Sequence, residues 1–142
     1  MIPPTTMKLS LSSVNHIAII VSDYERSLAF YCNVLGFELI SETYRAERQS
    51  MMAKLSLGGI YLLEMFTFPG APERPSYPEA QGLRHLAFSV PDLEEASRIL
   101  LSQGVLHEPI REDKTTGERC FFCTDPDGLP IELVAESTSH IL

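Results

Sequence analysis

The sequence predicts an α+β protein built from two β-α-β-β-β modules. Three observations carry that prediction. A ten-residue stretch occurs twice, each copy runs into a helical pattern closed by a glycine, and three short strand patterns follow each glycine.

The repeated stretch reads Val14-Asn15-His16-Ile17-Ala18-Ile19-Ile20-Val21-Ser22-Asp23 in its first copy and Leu83-Arg84-His85-Leu86-Ala87-Phe88-Ser89-Val90-Pro91-Asp92 in its second. The histidines (16 and 85) and the aspartates (23 and 92) keep one offset. Alternating apolar residues make each copy a strand, and each aspartate suits a helix N-cap, with Asp92 and Glu95 forming a capping box. Leu28, Tyr31, Cys32 and Leu35 fall at helical spacing in the first helix, as do Leu93, Ala96, Ile99 and Leu100 in the second. Gly36 and Gly104 end the helices as left-handed caps. Strands are then expected over 37–44, 51–57 and 60–67 in the first module, and over 105–109, 118–124 and 130–135 in the second. Gly58-Gly59 and Asp125-Pro126-Asp127-Gly128 mark the turns before the last strands. The segment 69–82, with Pro69, Pro72, Pro75 and Pro78, cannot be regular and reads as a linker. The expected organisation is an arm over 1–12, modules over 13–68 and 83–136 joined by that linker, and a tail over 137–142.

Bulk composition narrows the function classes. The chain has 142 residues, 44% of them hydrophobic, enough for a core without disulfides. Eleven basic against nineteen acidic residues give a formal charge of −8, which argues against nucleic acid and anionic membranes as partners. No apolar run approaches the ~18 residues of a membrane span, and the first ten residues lack a signal-peptide layout. A cytoplasmic protein with reduced cysteines is expected. Cys32 reads as core. Cys120 and Cys123 form a C-x-x-C on a strand, where residues three apart face opposite ways, so both read as small buried residues rather than a chelate or disulfide.

Chemistry is concentrated in four residues. Strand alternation puts His16 with Ala18 and Ile20, and His85 with Ala87 and Ser89, on the faces turned away from the helices. Each module also ends on a strand holding one glutamate in apolar company, Glu64 in Tyr61-Leu62-Leu63-Glu64-Met65-Phe66 and Glu132 in Pro130-Ile131-Glu132-Leu133-Val134. A carboxylate there is costly unless paired or metal-bound. Two histidines and two glutamates on matched strands suit a divalent ion taking nitrogen and oxygen ligands, such as zinc, nickel, iron, cobalt or manganese. His107 and His140 lack matching partners and read as surface residues. Among the cations, Arg45, Arg48 and Arg119 are candidate substrate-binding residues, Arg119 first because its strand neighbours that of Glu132; Arg74 reads as a surface charge.

The segments His16-Ile17-Ala18, Phe30-Tyr31, Leu35-Gly36-Phe37, Arg84-His85-Leu86-Ala87-Phe88 and Asp125-Pro126-Asp127-Gly128 make residues 13–136 resemble the vicinal oxygen chelate superfamily. That superfamily includes glyoxalase I, bleomycin-resistance proteins, fosfomycin-resistance enzymes, methylmalonyl-CoA epimerase and extradiol dioxygenases. Pro72-Glu73-Arg74-Pro75-Ser76 with Gly82-Leu83-Arg84-His85 resembles its small YaeR-type, glyoxalase-like group. The resemblance implies that the two modules curl into a mixed sheet forming a cup around one divalent metal per chain, held by His16, Glu64, His85 and Glu132. It implies a homodimer, with the cup formed within one chain or across two. Carrying both glutamates resembles glyoxalase I, in which a metal holds both oxygens of a hemithioacetal and a carboxylate moves a proton through an enediolate; Glu132 is then the base, with Glu64 as the pseudo-symmetric alternative. Ile20 and Phe68 stand where glyoxalase I has an arginine and an asparagine that touch glutathione, so the thiol need not be glutathione. The expected function is a glyoxalase-like lyase or isomerase acting on a small vicinal-oxygen substrate. The alternatives are a metal-dependent dioxygenase or thiol transferase, or a non-catalytic small-molecule binder.

Overall fold

The structure, a computed structural model, describes residues 7–137; His140 and the rest of the expected tail beyond 137 lie outside the described residues, as do residues 1–6 of the arm. The elements run β1 (Ile17–Ile20), α1 (Tyr24–Ala29) continuing into a π-helical turn (Phe30–Val34), β2 (Glu38–Arg45), a short 3-10 turn (Ala46–Arg48), β3 (Ser50–Leu57), β4 (Ile60–Phe66), β5 (Leu86–Val90), α2 (Leu93–Ser102), β6 (Arg111–Glu112), β7 (Arg119–Thr124) and β8 (Pro130–Ala135). Each module forms its own four-stranded mixed sheet, in the orders β1-β4-β3-β2 and β5-β8-β7-β6, and in each the first strand lies parallel to the last. Residues 69–85 contain neither helix nor strand.

The helices begin and end where local chemistry dictates. Asp23 accepts a hydrogen bond from the Arg26 amide at 3.1 Å and Asp92 one from Glu95 at 3.0 Å, satisfying amides that the first turn leaves unpaired. Gly36 (φ +88°) closes the first helix in the left-handed region that a side chain disfavours. Its last turn widens, the Leu35 amide reaching back five residues to the Phe30 carbonyl at 3.0 Å.

The sixth strand departs from expectation. Residues 105–109 form no strand, and β6 is the pair Arg111–Glu112 further on. Pro109 has no amide hydrogen to extend a ladder, so pairing with β7 survives before it only as a Glu108 amide bond to the Phe122 carbonyl at 2.9 Å.

Leu55, Leu63, Met65, Phe121 and Ile131 are buried between the sheets and helices. Buried contacts join the modules. Phe37 meets Phe88 edge to face with ring centres 5.7 Å apart. The buried Tyr31 hydroxyl, on the first module, donates to Asp125 Oδ2 at 2.7 Å in the turn before β8. Asp125 Oδ1 meanwhile accepts from the Asp127 and Leu129 amides at 2.8 and 2.9 Å, so the Asp-Pro-Asp-Gly turn is held from both sides. This packing leaves the opposite sheet faces open, and the candidate site lies on them.

A candidate metal centre in two halves

Register places the four expected ligands identically in the two modules. Ala18 pairs with Glu64 and Ala87 with Glu132, and each histidine sits two residues before its alanine. On β1, Ile19 is buried while Ala18 and Ile20 are exposed, so the histidine face is the open one, as alternation requires. His16 Nε2 lies 3.2 Å from Glu64 Oε1, and His85 Nε2 lies 3.1 Å from Glu132 Oε1. The methyl side chains of Ala18 and Ala87 leave room for these contacts.

The single chain does not bring all four together. Among the described residues no three His, Cys, Asp or Glu side chains gather to hold one ion. Each sheet carries its own pair, so the chain presents two half-sites rather than one closed cup.

The donor chemistry of each half fits a cation. Asn15 Oδ1 accepts from His16 Nδ1 at 2.6 Å, which leaves Nε2 to face the Glu64 oxygen. Two lone-pair atoms so close need a proton or a metal ion between them. A histidine nitrogen and a carboxylate oxygen converging this closely would suit joint coordination of a divalent ion. His85 Nδ1 is buried with no hydrogen-bond partner among the described residues.

Other side chains complete the open faces. Tyr61 stacks on His16 with ring centres 5.3 Å apart. It reaches that face because a bulge at Leu62 shifts the β3–β4 register, Ser56 pairing with Tyr61 while Leu55 pairs with Leu63. Burial and the neighbouring Glu64 carboxylate hold its phenol above its ordinary pKa. Phe122 pairs with Glu132 across β7–β8 and meets His85 edge-on at 5.3 Å. Cys120 shares that face and is only partly buried, which corrects the expectation that it is a core residue; Cys123 is buried on the far side. Burial first, and then a hydrogen bond to Glu132, raise the Cys120 thiol above its ordinary pKa.

The candidate arginines divide. Arg45 falls on the Glu64 face, its guanidinium 5.2 Å from the Phe66 ring centre; Arg48 lies over Phe68 at 4.7 Å, and Phe66 and Phe68 stack on each other. Arg119 is not brought to the Glu132 face. It is one residue out of phase with Cys120 and Phe122, so it points to the helix side and pairs with Glu94 of α2. Arg111, which the sequence reading passed over, occupies the open face instead, opposite Cys120. Arg74 is also more than a surface charge. It donates to the Leu83 and Arg84 carbonyls at 3.2 and 2.9 Å, tying the linker to the backbone that leads into His85. His107, expected at the surface, is half-buried, stacks on Phe121 at 4.3 Å and bonds Ser97 Oγ at 2.7 Å. Linker and second module together enclose a cleft of about 490 Å³ whose walls include His85, Phe122, Arg84, Arg111 and Tyr77.

Fold and site together define a paired-module protein that carries two like histidine–glutamate pairs. The chain belongs to the Glyoxalase/Bleomycin resistance protein/Dioxygenase superfamily, whose model matches residues 13–133. Members are usually enzymes, act on small molecules and commonly bind a divalent metal ion. The chain is 56% identical to the uncharacterized protein YwkD of Bacillus subtilis, over 87% of this chain and 96% of that one, and 56% identical to the uncharacterized protein YaeR of Escherichia coli, over 88% and 97%. A crystal structure of a glyoxalase family protein from Enterococcus faecalis superposes with a TM-score of 0.81 at 46% identity, covering 86% of this chain and 96% of that one. More distant relatives include a lactoylglutathione lyase of Salmonella typhimurium, 32% identical over 84% of this chain and 89% of the enzyme. A catechol-2,3-dioxygenase of Bacillus subtilis is 31% identical over 87% of this chain but only 41% of the enzyme. No helix among the described residues is long and apolar enough to cross a membrane.

Proposed function

We propose that the chain is a metal-dependent, glyoxalase I-like lyase or isomerase acting on a small substrate with oxygens on adjacent carbons, a 2-oxoaldehyde–thiol hemithioacetal or a related compound. The observation that carries this reading is the recurrence, in one register, of a histidine Nε2 and a glutamate Oε1 about 3 Å apart. A four-ligand centre needs one pair of each kind, and a homodimer supplies it by setting His16 and Glu64 of one copy against the partner's His85 and the partner's Glu132. The exposed apolar residues beside the first pair, Val14 at 71% and Ile20 at 56%, support burial of that face against a second copy.

A divalent ion held there, zinc, nickel, iron, cobalt or manganese, supplies Lewis acidity to the adjacent substrate oxygens. The protein's own groups do the rest. Glu132 takes a proton from one substrate carbon and returns it to the neighbouring carbon, a transfer that a carboxylate on a flexible stem can make. Cys120 lies on the same face as Glu132, within reach of that carboxylate. His16, fixed by Asn15 and Tyr61, and His85, seated against Phe122, stay in place. With Ile20 and Phe68 at the two positions that touch glutathione in glyoxalase I, the reading extends to other thiols. Likeness to the catechol-2,3-dioxygenase favours, as a second reading, an iron-dependent dioxygenase.

The test is to measure metal in the purified protein and then screen 2-oxoaldehydes with several thiols for thioester formation, monitoring oxygen in parallel. Thioester formation without oxygen uptake supports the lyase. Oxygen uptake with bound iron transfers the assignment to the dioxygenase, and metal-loaded protein inert toward every oxoaldehyde–thiol pair overturns the hemithioacetal reading.

A further inference from the structure

The two half-sites share a second feature beyond their ligands. On the first, Lys54 pairs with Glu64 across β3–β4, its Nζ lies 5.4 Å from the Tyr61 ring centre, and that ring stacks on His16. On the second, the Arg111 guanidinium lies 5.3 Å from the Phe122 ring centre, and that ring meets His85. Each imidazole is thus followed outward by an aromatic ring and then a cation, although the cations differ in type and come from different strands. In a chain of net charge −8 these cations stand among carboxylates, Lys54 opposite Glu64 and Arg111 beside Glu108, with Glu79 also on the cleft wall. Lys54 forms no ion pair among the described residues. Arg111 uses one Nη on Glu108 at 2.6 Å, and both partners of that pair are more than half exposed. Such a pair orients the guanidinium without neutralising it in any lasting way, and it leaves most of the five N–H donors free.

Arg111 and Arg84 also line the cleft of about 490 Å³ that opens beside His85. A guanidinium beside a ring can present its planar fork to an oxyacid group, which it can grip with two parallel hydrogen bonds. We propose that this cleft receives a carboxylate or phosphate group of the substrate, with Arg111 as the residue that selects for the negative charge and Lys54 as its counterpart on the other half-site. The proposal rests on the reading that the His85–Glu132 face is where the substrate reacts. It narrows the substrate class to small vicinal-oxygen compounds carrying an anionic group.

The test uses the full-length protein, zinc-loaded and chelator-treated, titrated calorimetrically with inorganic phosphate and with malonate at constant ionic strength, with metal content measured on every sample. Arg111→Gln should weaken the preferred anion about tenfold or more, the scale of a lost charge-assisted hydrogen bond. Arg111→Lys, keeping the charge but not the fork, should fall between. Arg119→Gln, on the helix side, should bind as wild type does. Preference for phosphate identifies a phosphoryl group and preference for malonate a carboxylate. Unchanged anion affinity in Arg111→Gln, or wild-type binding of both anions weaker than on the order of 10 mM, overturns the proposal. The metal reading fails separately: Arg111-dependent binding by a chain that takes up no zinc would keep the clamp and remove the metal centre, whereas zinc uptake without anion binding would do the reverse.

Discussion

Replacing Tyr31 with phenylalanine removes one oxygen atom from the joint between the modules. Tyr31 is fully buried and Asp125 is 5% exposed, so no water can take over the 2.7 Å hydrogen bond from the hydroxyl to Oδ2. Oδ1 keeps its two backbone amides, so the turn itself should persist. A hydrogen bond to a charged group contributes about 1.5–3 kcal/mol, and a buried acceptor left unpaired puts the loss within that range, about 2 kcal/mol. At roughly 4 °C per kcal/mol for a chain of this size, the midpoint should drop about 8 °C. Tyr24→Phe is the matched control. Its hydroxyl donates to Glu42 at the surface, and its loss should cost well under 1 kcal/mol. A pH arm sharpens the test. Burial first, and then the Asp125 carboxylate, push the Tyr31 phenol above its ordinary value near 10. The neutral phenol is therefore favoured in the fold, so its contribution is complete below pH 10. It declines as pH rises further, because the unfolded chain then ionises first. The stability gap between wild type and Tyr31→Phe should accordingly narrow above pH 10. Urea denaturation followed by circular dichroism measures both arms. A Tyr31→Phe variant within 0.5 kcal/mol of wild type at pH 7 would refute the joint's importance.

Two further outcomes follow from the site. Glu132→Gln should keep fold and much of the metal yet lower turnover by ~10²-fold or more, the scale of general acid–base catalysis, whereas Glu64→Gln should act mainly through metal affinity; a metal-loaded Glu132→Gln protein working at the wild-type rate would pass the role of base to Glu64. Light scattering at micromolar concentration should give a dimer, and mixing inactive Glu132→Gln and His16→Ala chains should restore part of the activity. Monomer alone, or no recovery on mixing, would count against a centre shared between copies.

Much of the fold can be read from local rules because local rules made it. Asp23, Asp92, Gly36 and Gly104 act through their own backbone surroundings, and the repeated strand with its histidine needs only alternation. Glu64 and Glu132 stood out as charges inside apolar strands. The same logic applies to Lys54, the one charge in Met51-Met52-Ala53-Lys54-Leu55, which the sequence reading passed over. Arg119 was placed by its strand rather than its phase, and a one-residue count separates it from Cys120 and Phe122. The position of Tyr61 could not be read so, because a bulge reverses its face. Nor could the division of the ligands into two pairs. It depends on how the modules pack, through Tyr31 on Asp125 and Phe37 on Phe88, residues distant in sequence with no local pattern to link them.

Metal stoichiometry tests the central claim most directly. Wild-type protein, His16→Ala and His85→Ala are purified, equilibrated with zinc or nickel, freed of excess and assayed by inductively coupled plasma mass spectrometry, with folding checked by circular dichroism. The account predicts about one ion per chain in the wild type and a sharp loss in both variants, since each removes one of four ligands from every centre. Full occupancy in both folded variants would show that the ion sits elsewhere and would contradict the assignment of His16, Glu64, His85 and Glu132.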